Sequence, residues 1–178
     1  MAFLMADVRG SSAIAESVSP TSFTSTMNQF FTAANRVLIG SDAYIDKLVG
    51  DEIFGFYMPY LGTDKSLLAV TAAKELLIAT GHKDPNGPWI PVGVGVNTGV
   101  AFVGSVGTSE GRTEFTAMGD VVNLTARLSS MAGSGEVLIG ERAWEEAAIA
   151  GETIERRRLT VRGRNEPIVV YVLKVVPD

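Results

Sequence analysis

The sequence predicts an α+β fold in which helices cover a mainly antiparallel sheet. Short apolar runs bounded by glycine, proline and polar residues recur along the chain and are typical of strands. Longer segments between them repeat their apolar residues at helical spacing. The order is strand, helix, hairpin, helix, hairpin, helix, followed by a smaller α/β tail, and such an order favours antiparallel pairing with helices packed on the sheet.

The first half of the chain supplies a strand, two helices and a hairpin. "FLMADV" is a short apolar run and predicts a buried strand that ends at Asp7. Ser19-Pro20 is a helix-start signal, and the apolar spacing behind it predicts an amphipathic helix over about 20–39. "AYIDKLV" and "EIFGFYM" predict a hairpin joined at Gly50-Asp51. "TDKSLLAVTAAKELLIAT" predicts a second helix closed by Gly81.

The second half begins with a predicted hairpin. "IPVGVGVNTG" and "VAFVGSVG" read as its two strands, turning at Asn97-Thr98-Gly99. "DVVNLTARLSSMAG" predicts a third helix, "EVLIG" a short strand and "ERAWEEAAIA" a fourth helix. "TIERRRLTV" and "EPIVVYVLKV" add two strands to the tail. Because no repeat or linker divides the chain, we expect residues 1–178 to form a single domain.

The composition excludes several classes of function. The chain of 178 residues is 46% hydrophobic and 20% charged with a formal charge of −5, which is typical of a soluble globular domain and argues against nucleic-acid binding. It has no cysteine, so disulfides, thiol nucleophiles and cysteine-rich zinc sites are excluded. The one histidine, His82, lies in "TGHKDPNGP", which predicts a solvated loop. Chemistry then falls to carboxylate, amide, hydroxyl and basic side chains.

The hydropathy pattern predicts a cytoplasmic domain without a membrane segment. The start lacks the basic region and long apolar stretch of a signal peptide. The longest apolar stretch, "VGVGVNTGVAFVGSVG", is rich in glycine and broken by polar residues, which a membrane helix of about 20 residues does not favour. Any regulatory or sensor domain would lie outside these residues.

Two aspartates stand where neighbouring strands would meet. Asp7 ends the first strand and Asp51 lies at the first hairpin turn, so both carboxylates would emerge at one edge if those strands pair. Carboxylate oxygens with phosphate and water are the ligands of Mg²⁺. Ordinary turn chemistry at Gly50-Asp51 and a capping role at Asp7 explain the same pattern.

Two further segments could contact a phosphorylated ligand. Backbone N–H groups of Gly10, Ser11 and Ser12 could face a phosphate, although the segment lacks the closing residues of a P-loop. Asn123 and Arg127 are four residues apart on one face of the predicted third helix, where an amide could hold a ribose and a guanidinium a phosphoryl group. An ordinary solvated helix face would also explain this pair.

Five segments, read in order, resemble the catalytic domain of the class III nucleotidyl cyclases, and most closely that of bacterial adenylate cyclases. They are "FLMADVRGSS", "KLVGDEIFGFY", "VGVNTGVAFVGSVG", "FTAMGDVVNLTARL" and "LTVRGRNEPIVVYVL", and together they span nearly the whole chain. The resemblance implies a ferredoxin-like palm, here with a small C-terminal α/β extension. It also implies a head-to-tail homodimer that makes a cyclic nucleotide with two divalent metal ions, Mg²⁺ or Mn²⁺.

The resemblance assigns metal binding to the start of the chain. Asp7 and Asp51 fall on the two metal-binding aspartates of the family, and the carbonyl of Val8 falls on its backbone metal ligand. After the glycine, the family usually has Phe-Thr, whereas this chain has Ser11-Ser12. That difference removes an apolar plug near the triphosphate but leaves the backbone donors.

The resemblance also assigns residues that read and clamp the nucleotide. Lys47 falls on the purine-reading lysine, and Thr116 takes the second purine-reading position, where many members have aspartate. Asn123 matches the asparagine that positions the ribose, and Arg127 the arginine that stabilises the transition state. Arg162 falls where a phosphate-binding lysine is common, so the charge is kept while its geometry changes.

The resulting expectation is an adenylate cyclase that acts on ATP. A guanylate cyclase or a pyrimidine-nucleotide cyclase is the alternative within the same chemistry, and Lys47 and Thr116 separate these. From a different class, a catalytically silent homologue that binds nucleotide as a regulatory module remains an alternative. Such a homologue would be expected to lack a metal aspartate, Asn123 or Arg127, and all of these are present.

Overall fold

A computed structural model of the chain contains a seven-stranded sheet with helices on both faces, and a separate two-stranded ribbon. It describes residues 1–108, 111, 113–149 and 154–177, with the side chains at positions 49 and 61–63 left out. The strands are β1 Ala2–Val8, β2 Tyr44–Val49, β3 Glu52–Tyr57, β4 Val92–Thr98, β5 Phe102–Gly107, β6 Thr113–Met118, β7 Glu136–Gly140, β8 Glu155–Leu159 and β9 Ile168–Lys174. The helices are α1 Ser11–Ser17, α2 Pro20–Gly40, α3 Lys65–Ala79, α4 Asp120–Met131 and α5 Glu141–Ala147, with a 3₁₀ turn at Pro59–Asp64.

The sheet follows the ferredoxin-like order with an added C-terminal part. Its strand order is β2-β3-β1-β4-β7-β9-β8. The first four strands, with α2 and α3 between them, form the βαββαβ unit of that fold, and all three of their pairings are antiparallel. Strand β7 pairs parallel to β4, and β9 and β8 continue the sheet. The predicted α+β fold is confirmed, and its C-terminal extension lengthens the main sheet.

Each face of the sheet carries its own core. Alternate residues of β1 point to opposite faces, so Leu4 and Ala6 pack under α2 and α3. Phe3 and Met5 point to the other face, where they pack with Phe54 and the start of α4. Asp7 is two residues after Met5 in the same strand, so it points to the same face as Phe3 and Met5. The alternation of β1 therefore places the carboxylate of Asp7 on the α4 side of the sheet.

The glycines of "VGVGV" let α4 lie directly on the sheet. Val92, Val94 and Val96 point into the core under α2 and α3. A Cβ added to Gly95, on the opposite face, would lie 2.5 Å from the backbone nitrogen of Ser129 and 2.6 Å from the carbonyl oxygen of Thr125. Only glycine allows α4 to approach this closely, and α4 carries Asn123 and Arg127.

Gly95→Ala is expected to lower stability by about 1–3 kcal/mol, because the added methyl group must push α4 away from the sheet. For a chain of this size, each kcal/mol corresponds to about 2–4 °C in the melting temperature. Thermal unfolding followed by circular dichroism measures the change. The control is Gly40→Ala, whose added Cβ would meet nothing within 4 Å. If both variants melt with the wild type, the close approach of α4 does not depend on Gly95.

Most predicted elements are confirmed, including the long helix at Pro20–Gly40, where the Ser19 side chain accepts a 3.2 Å hydrogen bond from the N–H of Ser22. The first hairpin, the helix closed by Gly81 and the last two strands also form. The structure adds helix α1 at Ser11–Ser17, which the sequence analysis did not predict. Ala150 and Thr153, at the ends of the predicted fourth helix and of the first tail strand, lie outside the described residues.

The predicted second hairpin is wrong. Strand β4 is buried along its whole length and lies inside the main sheet between β1 and β7. Strand β5 is largely exposed and pairs with β6, Thr113–Met118, to form the separate ribbon. Strand β4 is covered on both faces, whereas β5 has an exposed face. The two strands therefore lie in different sheets although they are neighbours in the sequence.

The prediction for His82 is also wrong. The ring is buried, with Nδ1 3.0 Å from both the Thr80 hydroxyl and the carbonyl oxygen of Leu77. Its Nε2 lies 3.1 Å from the Ser134 hydroxyl. Burial lowers the pKa of His82. His82 therefore ties the end of α3 to the segment before β7.

Within the described ranges, no helix is both long and apolar enough to cross a membrane.

Candidate active site

The structure brings Asp7 and Asp51 together at one end of the sheet. Strand β1 pairs with β3, which places Asp7 opposite Glu52, the residue that follows Asp51. The N–H of Val8 donates a 3.2 Å hydrogen bond to the carbonyl oxygen of Asp51, so the end of β1 is fastened to the β2–β3 turn. The expectation that the two strands lie side by side is met, and the carboxylate of Asp51 is near enough to contribute to the raised pKa of Asp7.

The electrostatics at this edge favour a bound cation. Burial raises the pKa of Asp7, the ion pair with Arg9 opposes that rise, and the neighbouring charge of Asp51 adds to it. Burial also raises the pKa of Glu52, with further contributions from Asp7 and Asp51. Three carboxyl groups thus share a partly buried edge, and a cation placed there would relieve their mutual repulsion.

The donor set at this edge fits Mg²⁺ or Mn²⁺. In the described part of the chain, no group of three or more histidine, cysteine, aspartate or glutamate side chains is arranged to hold a metal ion. Two adjacent carboxylates leave the remaining positions of an ion to phosphate oxygens and water, which is how Mg²⁺ is usually held with a nucleotide. The residues present therefore fit metal ions that arrive together with a triphosphate.

Helix α1 begins beside the aspartates. Gly10 precedes it with a φ of 68°, a left-handed conformation that favours glycine. The hydroxyl of Ser11 donates a hydrogen bond to the carboxylate of Asp51. Ser11, Ser12, Gly50 and Asp51 line a shallow pocket with part of α1. The serine pair that departs from the usual family pattern thus supplies a hydroxyl that orients Asp51.

A second group of predicted residues lines an open cleft on the α4 side of the sheet. The cleft has a volume of about 450 Å³, and Lys47, Thr116 and Asn123 all lie in its wall. Met5 and Phe54 also line it, and Glu52 lies where the cleft approaches the aspartates. The cleft therefore combines apolar surface with a cationic donor, a hydroxyl and an amide.

Two of the three predicted residues of the cleft, Lys47 and Thr116, meet at Asp46. The Thr116 hydroxyl donates a 2.7 Å hydrogen bond to Oδ2 of Asp46, and Nζ of Lys47 lies 3.7 Å from the same oxygen. Thr116 is buried, whereas the Lys47 side chain is 43% exposed and can reach outward. Sequence reasoning did not single out Asp46.

Arg127 lies apart from this cleft, although it shares α4 with Asn123. Its guanidinium donates a hydrogen bond to the carbonyl oxygen of Arg162 in the turn between β8 and β9. From the same turn, Arg164 forms an ion pair with Asp120 at the start of α4. The structure therefore brings the guanidinium of Arg127 to the backbone of Arg162, in the turn that lies next to α4.

Sequence reasoning missed two contacts of the site besides Asp46. The guanidinium of Arg9 pairs with Asp7 and also donates a 2.8 Å hydrogen bond to the carbonyl oxygen of Ser130 in the last turn of α4. Glu52 faces both the cleft and the aspartates. Glu52 directly follows Asp51 in the sequence, a spacing that could have drawn attention to it, whereas the long-range contact of Arg9 has no sequence signal.

Comparison with known proteins identifies a family. A model of the adenylate and guanylate cyclase catalytic domain family matches residues 1–175. An adenylate cyclase from Anabaena cylindrica is 25% identical over 187 residues, covering 98% of this chain and 36% of that protein. Adenylate cyclase 1 from Rhizobium meliloti (strain 1021) is 30% identical over 134 residues, covering 72% of this chain and 20% of that protein. The chain thus spans well under half the length of these relatives.

Solved structures show the same fold. The guanylyl cyclase Cya2 matches with a TM-score of 0.87 at 27% identity, covering 98% of this chain and 91% of that one. The adenylyl cyclase CyaB from P. aeruginosa matches with a TM-score of 0.79 at 24% identity, covering 97% and 93%, and at this identity the likeness shows the fold alone. The proteins that this chain resembles therefore include some named adenylate cyclases and one named a guanylyl cyclase.

Proposed function

Because this chain belongs to the adenylate and guanylate cyclase catalytic domain family, we propose that it is an adenylate cyclase, which converts ATP into 3′,5′-cyclic AMP and pyrophosphate. The observation that carries the choice of ATP is the pair Lys47 and Thr116 in the wall of one cleft. An ammonium group only donates hydrogen bonds, which suits N1 of adenine, and a hydroxyl can accept from the exocyclic amine. Guanine presents an N1–H donor and a carbonyl oxygen at the same places.

In the proposed reaction, the 3′-oxygen of the ribose bonds to the α-phosphorus. The bond from that phosphorus to the oxygen that bridges it to the β-phosphate breaks, pyrophosphate leaves with that oxygen, and the proton of the 3′-hydroxyl is released to water. Asn123, in the wall of the cleft, would hold the ribose so that the hydroxyl faces the phosphorus. Arg127 and Arg162 would stabilise the charge that develops on the phosphate oxygens.

Asp7, Asp51 and the carbonyl of Val8 are the proposed metal ligands. Two Mg²⁺ or Mn²⁺ ions bound there would favour loss of the hydroxyl proton and offset the charge of the triphosphate. The hydroxyl of Ser11 orients Asp51. The N–H groups at Gly10, Ser11 and Ser12, at the start of α1, are the proposed backbone donors to the triphosphate.

We further propose that the active form is a head-to-tail homodimer. The predicted residues fall into two groups, a metal edge that contains Asp7 and Asp51 and a base-reading cleft that contains Lys47, Thr116 and Asn123. In a two-fold dimer, the metal edge of one chain faces the cleft and Arg127 of its partner, and the assembly has two equivalent sites. Exposed apolar residues on the β5–β6 ribbon, among them Phe102 and Phe115, support burial against another chain.

ATP is expected to be turned over with a kcat/KM at least about tenfold above that of GTP, because a mismatch at Lys47 costs GTP roughly 1.4 kcal/mol. The assay gives the purified chain ATP, GTP, CTP or UTP with Mn²⁺ and identifies each product by mass. Cyclic AMP as the main product supports the proposal.

GTP is the alternative substrate, since the likeness to the guanylyl cyclase Cya2 is close in fold. Equal or faster formation of cyclic GMP would contradict the proposed choice of ATP while leaving a cyclase activity in place. If none of the four nucleotides yields a cyclic product, although the chain is folded and dimeric at the concentration used, the catalytic proposal itself fails.

A further inference from the structure

Asp46 lies at an irregularity of β2. In the pairing of β2 with β3, Ile45 lies opposite Gly55 and Lys47 lies opposite Phe54, so Asp46 is the extra residue of a β-bulge. Neighbouring residues of a regular strand point to opposite faces of the sheet. At this bulge, however, the carboxylate of Asp46 and the ammonium of Lys47 are 3.7 Å apart. The bulge thus brings a carboxylate to the base-reading lysine.

The carboxylate of Asp46 is buried against Thr116. Its side chain is only 2% exposed, and the residue that reaches it from β6 is Thr116, at a hydroxyl-to-carboxylate distance of 2.7 Å. The Thr116 residue is itself only 6% exposed. A buried carboxylate is costly unless its oxygens receive hydrogen bonds or an opposite charge, and Thr116 and Lys47 supply one of each.

The direction of this hydrogen bond determines what the cleft offers to a ligand. An ionised carboxylate can only accept, so the single hydroxyl proton of Thr116 points to Asp46. The lone pairs of the Thr116 oxygen remain for the cleft, while Lys47 beside it can only donate. The wall of the cleft therefore presents an acceptor next to a donor.

We infer that Asp46 is the positioning residue that sets the base selectivity of this cleft, by fixing the Thr116 hydroxyl as an acceptor and holding Lys47 next to it. The inference rests on the proposed function and deepens it. Adenine has the complementary edge, with an amine donor at N6 and an acceptor at N1. Guanine would place its O6 lone pairs against those of Thr116 and its N1–H against Lys47, and Asp46 prevents the hydroxyl from turning to relieve the first of these clashes.

Asp46→Ala is expected to lower the preference for ATP over GTP, measured as the ratio of their kcat/KM values, by about tenfold. Without the carboxylate, the Thr116 hydroxyl is free to donate to O6 of guanine, so the variant gains on GTP as it loses on ATP. Asp46→Asn, which keeps the side-chain volume, is expected to change the ratio in the same direction, because its amide can donate to the hydroxyl as well as accept from it. Both substrates are assayed on the same sample, so a loss of folded protein cancels in the ratio.

A double-mutant cycle separates this role from a purely structural one. If Asp46 acts through the hydroxyl, Thr116→Val should lower the ratio by itself, and adding Asp46→Ala to it should change the ratio little further. The control variant is Asp42→Asn, which removes an exposed carboxylate shortly before β2 and should leave the ratio at the wild-type value. If Asp46→Ala and Asp46→Asn slow both nucleotides equally and leave the ratio unchanged, Asp46 only supports the bulge and the inference is overturned.

A binding measurement keeps the inference distinct from the proposed activity. The analogues 3′-deoxy-ATP and 3′-deoxy-GTP lack the attacking hydroxyl, and their affinities with Mn²⁺ can be measured by calorimetry whether or not the chain cyclises nucleotides. A preference of the wild type for 3′-deoxy-ATP that falls in Asp46→Ala supports the inference, even if no cyclic AMP is formed and the proposed function fails. Equal affinities of the wild type for the two analogues would overturn it.

Discussion

Asp51→Asn is expected to lower the turnover of ATP by at least about a thousandfold, because losing one of two carboxylates at the metal edge removes roughly 4 kcal/mol of transition-state stabilisation. The fold should survive this change. An asparagine oxygen can still accept the hydrogen bond from Ser11, and removing the charge of Asp51 removes one of the contributions that raise the pKa of Asp7. Initial rates at saturating Mg²⁺ and Mn²⁺, together with thermal unfolding, measure both effects.

Asp84→Asn is the matched control for this substitution. Asp84 is also a turn aspartate, and one of its oxygens accepts a 2.9 Å hydrogen bond from the N–H of Asn86, far along the chain from the metal edge. It should keep the wild-type rate. If Asp51→Asn turns over ATP at a near-normal rate with saturating metal, the two-metal proposal is wrong. A melting temperature well below that of the wild type would instead assign the loss of activity to unfolding.

The sequence predicted those parts of the fold whose signals are local. The start of α2 at Ser19-Pro20 and the turn at Gly50-Asp51 depend on chemistry within a few residues, and both are found in the structure. The helix that packs on β4 could not be predicted in this way. A run of alternating valine and glycine does not reveal that the glycine face receives a helix, because the contact of Gly95 with α4 joins residues about thirty positions apart.

The candidate site shows the same limit. The resemblance to a family supplied Lys47, Thr116 and Asn123, and the structure places all three around one cleft. It could not supply Asp46, because the bulge that turns this side chain toward Thr116 exists only in the pairing of β2 with β3. Similarly, the burial of His82 comes from packing against Ser134 and α3, whereas its own neighbours in the sequence are typical of a solvated loop.

A mixture of Asp51→Ala and Arg127→Ala is expected to recover activity that neither variant has alone. In the proposed homodimer, every site needs the metal edge of one chain and Arg127 of the other, so each variant would break both sites of its own dimer. In a mixed dimer, one site combines the two intact halves and the other combines the two damaged ones. Random exchange makes about half of the dimers mixed, each with one good site, so the rate should approach about a quarter of the wild-type rate.

The control for this recovery is a mixture of Asp51→Ala with Asp7→Ala. These two residues lie together at the metal edge, so in a mixed dimer each chain carries a damaged metal edge and both sites stay inactive. Different affinity tags on the two variants, followed by tandem purification, establish that subunits have exchanged and isolate the mixed dimers. Mixed dimers of Asp51→Ala and Arg127→Ala should then have about half the wild-type rate, because one of their two sites is intact. If these purified dimers are as inactive as the mixed dimers of Asp51→Ala and Asp7→Ala, the metal edge and Arg127 act within one chain, and the shared-site homodimer is wrong.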